Sequence, residues 1–154
     1  MSRSGADLAL LLLGGYRMLV DEAMMALAER GYEDFRPIHD FAMRAIAAGS
    51  DSASDLGRRM SVSKQAASKT ISALLDRGYV SRELDPHDAR RKRLQVTPLG
   101  FEVLHQGEAI FEELRNKWAQ QIGVTELVTL ETHLKTLIGD RAIRLDAPGW
   151  SSQD

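Results

Sequence analysis

Apolar positions recur with a helical period along most of this chain and with a period of two in one short stretch. From about Ala6 to Arg30, the residues Leu8, Leu12, Tyr16, Leu19, Ala23 and Leu27 predict one long helix with Gly31 as its stop. Leu10, Leu11 and Leu13 fill its other faces, so the first two turns are apolar almost all round. Such a helix must be covered on several sides, and in a small protein the second cover is expected from another subunit.

Pro37 suits the first turn of a second helix running to about Ala48, with Gly49 behind it. Ser52 and Asp55 fit a capping box that opens a short third helix ending near Met60. Ser63 is a good N-cap for a fourth helix, Lys64 to Arg77, closed by Gly78. Two short helices joined by about three residues make a helix-turn-helix. The period then switches. Val80, Arg82 and Leu84 share one strand face, Leu94 and Val96 share another, and Asp85 to Arg91 is a charged loop between them. The pattern is a β-hairpin with a basic tip, a wing. Thr97 and Pro98 open a long fifth helix to about Ile122, seamed by Leu104, Phe111, Leu114 and Trp118. After Gly123, Thr125 is expected to cap a sixth helix carrying Leu127, Leu130, Leu134, Leu137 and Ile138 on one side. The tail from Asp146 onward is expected to be loose.

These elements predict a mainly α fold with a small β-hairpin wing. Its expected parts are an N-terminal helix (1–34), a winged helix-turn-helix lobe (35–100), the C-terminal helices (101–146) and the tail (147–154). At 154 residues, with 44% hydrophobic and 27% charged positions, the chain can bury a core and is not of the disordered class. It has no cysteine, which removes disulfides, thiolate metal sites and thiol chemistry. Its longest leucine-rich run is six residues, against the roughly 20 that a membrane span needs. The run is also too short for a secretory signal, and the expected location is the cytoplasm.

The net charge of −2 conceals a strong asymmetry. Arg58 to Arg93 holds ten Lys/Arg against four acids, net +6, while the rest holds ten against eighteen, net −8. A basic middle between acidic ends points to a local polyanion patch, with a merely solvated basic surface as the alternative. The fourth helix divides accordingly. Ala67, Ile71, Leu74 and Leu75 form an inward stripe; Lys64, Gln65, Ser68, Lys69 and Ser72 form the opposite one. Gln makes paired hydrogen bonds to an adenine edge, Lys reaches guanine or phosphate, and Ser accepts either contact. The wing adds Arg90, Arg91, Lys92 and Arg93. A narrow A·T-rich minor groove attracts inserted Arg. Asp88, two residues before Arg90, is expected to pair with its guanidinium and orient it. Arg58, Arg59 and Arg77 are expected to add phosphate contacts.

The string SKQAASK at 63–69, Gly78-Tyr79-Val80, the wing Asp85-Pro86-x-Asp88-x-Arg90-Arg91, Leu94-x-Val96-Thr97 and Gly100 together resemble the MarR family of transcriptional regulators. The resemblance runs from about Ser52 to Gly100 and is most specific in the wing. Asp88 and Arg90 match the family's wing Asp and its minor-groove Arg. Ala89 stands where many members have a further Arg, so that contact is either missing or taken over by Arg91.

The resemblance implies a winged helix-turn-helix in an obligate homodimer, with the first and last two helices packed across a two-fold axis. Such a dimer reads a pseudo-palindromic operator in double-stranded DNA, as a repressor. It further implies a small anionic or phenolic effector, bound between the dimerisation helices and the DNA-binding lobe. By position Tyr16, Arg17, Phe35, His39 and Met43 would line that crevice, although an aromatic or Met at helical spacing also suits a core and His39 a structural role.

Other classes fit less well. His39, His87, His105 and His133 are too far apart in sequence for a local metal site, so no metal or cofactor is expected. There is no phosphate loop, HExxH helix or GxSxG elbow, and the His39-Asp40 and His87-Asp88 pairs lack a placed nucleophile, so no catalytic residue and no enzyme is expected. An architectural, sequence-independent DNA-binding protein and a winged docking module without DNA remain as alternatives. The Gln/Ser content of the fourth helix disfavours the first, and its basic stripe the second.

Overall fold

The structure, a computed structural model, describes residues 4–140, so the expected tail lies outside the described residues. Six helices and one hairpin follow in order: α1 (Gly5–Glu29), α2 (Pro37–Ala47), α3 (Ala53–Met60), α4 (Lys64–Asp76), β1 (Val80–Asp85), β2 (Asp88–Val96), α5 (Pro98–Ile122) and α6 (Val124–Ile138). They divide into two compact units. One comprises the residues up to Phe35 together with Gln106–Thr132; the other comprises Arg36–His105 and the described residues from His133.

In the first unit, α1 opens with a reciprocal cap. The Ser4 hydroxyl accepts the Asp7 N–H at 3.1 Å, and the Asp7 carboxylate accepts the Ser4 N–H at 3.0 Å. That backbone bond is the main cause of a lowered Asp7 pKa. The helix meets α5 where Gly15 leaves room for Trp118: a Cβ there would stand 3.3 Å from the indole. The Arg30 guanidinium also donates to Gln106. Arg115 pairs with Glu131 at 2.7 Å, tying α5 to α6. Ala23, Leu27, Ile110, Leu114, Ala119 and Leu127 are buried. Leu8, Leu10, Leu11, Leu12 and Leu13 are between 47% and 72% exposed, so among the described residues nothing supplies the cover that their composition demands.

One cap differs from expectation. Helix α6 begins at Val124 with its first turn bonded to the Gly123 carbonyl, so Thr125 lies inside the helix. Gly123, at φ +100°, makes the turn that a side chain would strain, and the helix starts directly from it.

The second unit contains α2, α3, α4, the hairpin and the first turns of α5. The Ser52 hydroxyl accepts the Asp55 N–H at 3.2 Å, one arm of the expected box; the Asp55 carboxylate turns instead to the Arg58 guanidinium. Ser61 ends α3 in the left-handed region, at φ +55°. Ala42, Met43, Leu56, Ala67, Ile71 and Leu74 are almost wholly buried. Each large apolar side chain so covered contributes about 1.5–3 kcal/mol.

The hairpin is antiparallel, with Val80 opposite Val96, Arg82 opposite Leu94 and Leu84 opposite Lys92. Pairing then jumps to Asp85 opposite Asp88, leaving residues 89–91 as a bulge on β2. The expected loop of Asp85 to Arg91 is thus much shorter, and the four consecutive bases lie on β2. Thr97 fastens the base of the wing. Its hydroxyl donates to the Gly78 carbonyl at 2.6 Å and accepts the Gly100 N–H at 3.1 Å, while its own N–H donates to the Tyr79 carbonyl at 3.0 Å.

Candidate nucleic-acid interface

Helix α4 carries the polar stripe. Its start is fixed by Ser63, whose hydroxyl accepts the Ala66 N–H at 3.0 Å. Its end is fixed by Arg77 and by Gly78 at φ +74°. Ala67, Ile71 and Leu74 face inward and are buried, with Leu75 partly covered. Thr70 is buried with them, its hydroxyl donating to the Ala66 carbonyl. Lys64, Gln65, Ser68, Lys69 and Ser72 are all exposed. The two faces are therefore separate: apolar burial orients the helix and leaves five hydrogen-bonding side chains on its outer side.

The wing presents its bases unequally. Arg90 is exposed and makes no ion pair among the described residues. Arg91 pairs with Asp51 at 2.8 Å. Lys92 joins Asp51, Ser68, Ser72, Arg82 and Leu94 around a cavity of about 180 Å³ between the wing, the start of α3 and α4. Arg93 is half-buried, and its Nε has no hydrogen-bond partner.

Asp88 does not take the Arg90 guanidinium as expected. Its carboxylate accepts the Arg90 backbone N–H at 3.0 Å, the geometry of an Asx turn. On the other strand the Asp85 carboxylate accepts the His87 N–H at 2.8 Å. That bond is the main cause of a lowered Asp85 pKa, with the Arg93 and Arg91 charges adding to it.

Among the remaining bases, Arg58 is held by Asp55, whose own pKa is lowered chiefly by the Ser52 hydrogen bond. Arg59 is exposed. The Arg77 Nη1 stands 3.3 Å from His39 Nε2. Sequence reasoning missed Arg82 and Asp51. Arg82 was visible as a member of a strand face and as one of the ten bases of the basic segment, with nothing to single it out. Asp51 lies forty positions from its partner, and nothing local marks the pairing.

The residues expected to hold an effector are divided between the units: Tyr16, Arg17 and Phe35 in the first, His39 and Met43 in the second. Tyr16 and Arg17 are half-buried, while Phe35, His39 and Met43 are buried. Burial pushes the Tyr16 phenol up to about 12. His39 Nδ1 accepts the Arg36 N–H at 3.0 Å, capping α2. A neutral ring that accepts at Nδ1 carries its proton on Nε2, so the Arg77 approach is a close contact between donors and not a second acceptor bond. Among the described residues there is no group of three His, Cys, Asp or Glu set to hold a metal ion, and no helix long and apolar enough to cross a membrane.

A recognition-type helix packed on a short helix, followed by a bulged two-stranded hairpin, defines a winged helix-turn-helix lobe. Residues 42–91 match the family model described as "MarR family". The chain is thereby MarR-like through its helix-turn-helix and most of its wing. The "HTH-type transcriptional regulator BilQ" of Clostridioides difficile (strain CD3) is 32% identical over 83 residues, 54% of this chain and 56% of that protein. The chain therefore spans little more than half the length of that relative.

Solved structures match over more of the chain. MarR from E. coli in its apo form has a TM-score of 0.66 at 19% identity, covering 90% of this chain and 99% of that one. A MarR-family regulator from Rhodococcus sp. RHA1 gives 0.66 at 18%, covering 91% and 100%. An S. aureus MepR mutant bound to an oligodeoxyribonucleotide gives 0.60 at 16%, covering 84% and 94%. At such identities the likeness is one of fold: mainly helical, with the winged-helix hairpin.

Proposed function

We propose that this protein is a sequence-specific, DNA-binding transcriptional regulator that acts in the cytoplasm as a homodimer and represses from a pseudo-palindromic operator. The observation that carries the reading is the exposed stripe Lys64, Gln65, Ser68, Lys69 and Ser72, backed by the buried stripe that orients it. On this reading α4 enters the major groove, where Gln65 and the two Lys meet base edges and phosphates. Arg90 enters the adjacent minor groove from the wing. Arg58, Arg59 and Arg77 hold the backbone and supply salt dependence. The regulator name of the C. difficile relative and the oligodeoxyribonucleotide on the S. aureus protein support the class.

The dimer part rests on Leu8 and Leu10 to Leu13, an exposed apolar surface that the other described residues leave open. The effector part is a small anionic or phenolic molecule that releases the operator, with Tyr16 and Arg17 as its first candidate contacts. No catalytic role is assigned.

The test is selection of bound duplexes from fragmented genomic DNA, at several salt concentrations, with Arg90→Ala in parallel. Enrichment of a two-fold symmetric site, lost in the variant, is the expected result. Binding without sequence enrichment would replace the reading with an architectural one, and no binding at any salt would overturn it.

A further inference from the structure

Asp51 sits immediately before the N-cap of α3 and holds β2 at two points. Its backbone carbonyl accepts the Leu94 N–H at 3.1 Å. Its carboxylate takes the Arg91 guanidinium at 2.8 Å. These contacts lie three residues apart on the same strand, one in the paired part of the hairpin and one in the 89–91 bulge. The first fixes where the strand lies. The second fixes the bulge, which β1 leaves unpaired. Arg90 belongs to that bulge, between the Asp88 carboxylate that takes its N–H and the Arg91 side chain that Asp51 holds.

We propose that Asp51 is a positioning residue of the wing: by engaging Arg91 it sets the bulge so that Arg90 projects away from the lobe toward DNA. This rests on the DNA-binding reading and deepens it. Of the four consecutive bases, Arg91 then serves as an internal anchor and Arg90 as the probe. The ion pair is not there for stability, since the Arg91 side chain is 49% exposed and such pairs contribute about 0–1 kcal/mol.

Simple electrostatics and positioning predict opposite signs. Removing an acid beside a basic surface would tighten DNA binding by relieving phosphate repulsion. Loss of the anchor would weaken it.

The experiment uses the full chain and compares wild type, Asp51→Asn, Asp51→Glu, Arg90→Ala and the Asp51→Asn/Arg90→Ala double variant. Affinity is measured on the genomic duplex of highest enrichment, and amide hydrogen exchange is followed in the free protein. Asn keeps the backbone bond to Leu94 and removes the charge. The expected results are severalfold faster exchange across residues 89–91 in Asp51→Asn and weaker binding by about 5-fold to 150-fold, the range of one lost groove contact. Asp51→Glu restores part of the loss, and Asp51→Asn costs nothing further once Arg90 is Ala.

Unchanged or tighter binding by Asp51→Asn, while Arg90→Ala still weakens it, would overturn the proposal and leave the DNA reading standing. So would an equal loss in the Arg90→Ala background, which would mean that Asp51 acts elsewhere. Unaltered exchange would show that there is no anchor. A wild-type protein that binds no duplex would remove the DNA reading, and with it any part for Asp51 in that binding.

Discussion

The Asp88 carboxylate accepts the backbone N–H of Arg90 at 3.0 Å, two residues along the same strand. The acid thus shapes the chain around Arg90 and leaves the guanidinium without an ion pair among the described residues. A guanidinium already committed to a carboxylate would have to break that pair on entering a groove; an unpaired one carries no such cost. Arg90→Ala is expected to weaken binding by about 1–3 kcal/mol, with the largest effect on sites whose minor groove is narrow beneath the wing. Fluorescence anisotropy titrations of duplexes with A·T and G·C flanks measure both. Equal affinity of variant and wild type for every flank would remove the wing from the interface.

Gln65 lies in the first turn of α4, exposed, next to Lys64 and one turn before Ser68 and Lys69. An amide at that position presents a donor and an acceptor together, which is what an adenine edge requires. Gln65→Ala is expected to relax base preference by about 1–3 kcal/mol at one position in each half-site, leaving the other positions unchanged. Competition with single-base operator variants reads this directly. A uniform loss across all sequences would make Gln65 a backbone contact.

Most of the element order was legible because glycines and cap residues punctuate it. Gly31, Gly49, Gly78 and Gly123 all adopt positive φ, where only glycine sits without strain, so each marks an end that sequence alone can locate. The α4 stripes were legible because helical periodicity separates buried from exposed positions without reference to the rest of the fold. The wing was legible as a hairpin but not in register. The 89–91 bulge carries Arg91, which meets Asp51 across forty residues, a contact that no local pattern encodes. Thr125 failed as a predicted cap because Gly123 turns the chain so sharply that the helix starts two residues earlier.

On the proposed dimer, the apolar first turns of α1 form the seam. Leu11 is 72% exposed and Leu12 47% in a single chain, values that an isolated soluble protein does not sustain over five leucines. Leu11→Asp/Leu12→Asp places two charges where the seam needs apolar cover, and burying an unpaired carboxylate is far costlier than keeping the subunits apart. Sedimentation equilibrium is expected to give a dimer for the wild type and a monomer, or unfolded chain, for the variant. A folded dimer in both would move the interface away from α1.

Gly100 is required by packing. A Cβ at this position in the first turn of α5 would overlap the Tyr79 carbonyl oxygen and stand 2.7 Å from Val96 Cγ1. The Thr97 clamp holds the same backbone segment, so the strand cannot retreat without losing the hydroxyl bonds to Gly78 and Gly100. Gly100→Ala is expected to destabilise by about 1–3 kcal/mol, the usual cost of overpacking, despite alanine's better helix propensity. Urea denaturation followed by circular dichroism measures it, and a variant as stable as the wild type would show that the wing base yields easily.

Tyr16 offers a titration that separates burial from exposure in the first unit. Desolvation raises its phenol from 10 to about 12, with the Asp21 charge adding and the Arg17 charge opposing. Between these two values the folded chain holds a proton that the unfolded chain releases, so stability falls as pH rises from 10 toward 12 and the phenol is neutral at any physiological pH. Ultraviolet difference titration near 295 nm is expected to show a late-ionising component that Tyr16→Phe loses. The same variant loses part of the alkaline stability slope. Should Tyr16 ionise near 10, the half-buried environment assigned to it on α1 would be wrong.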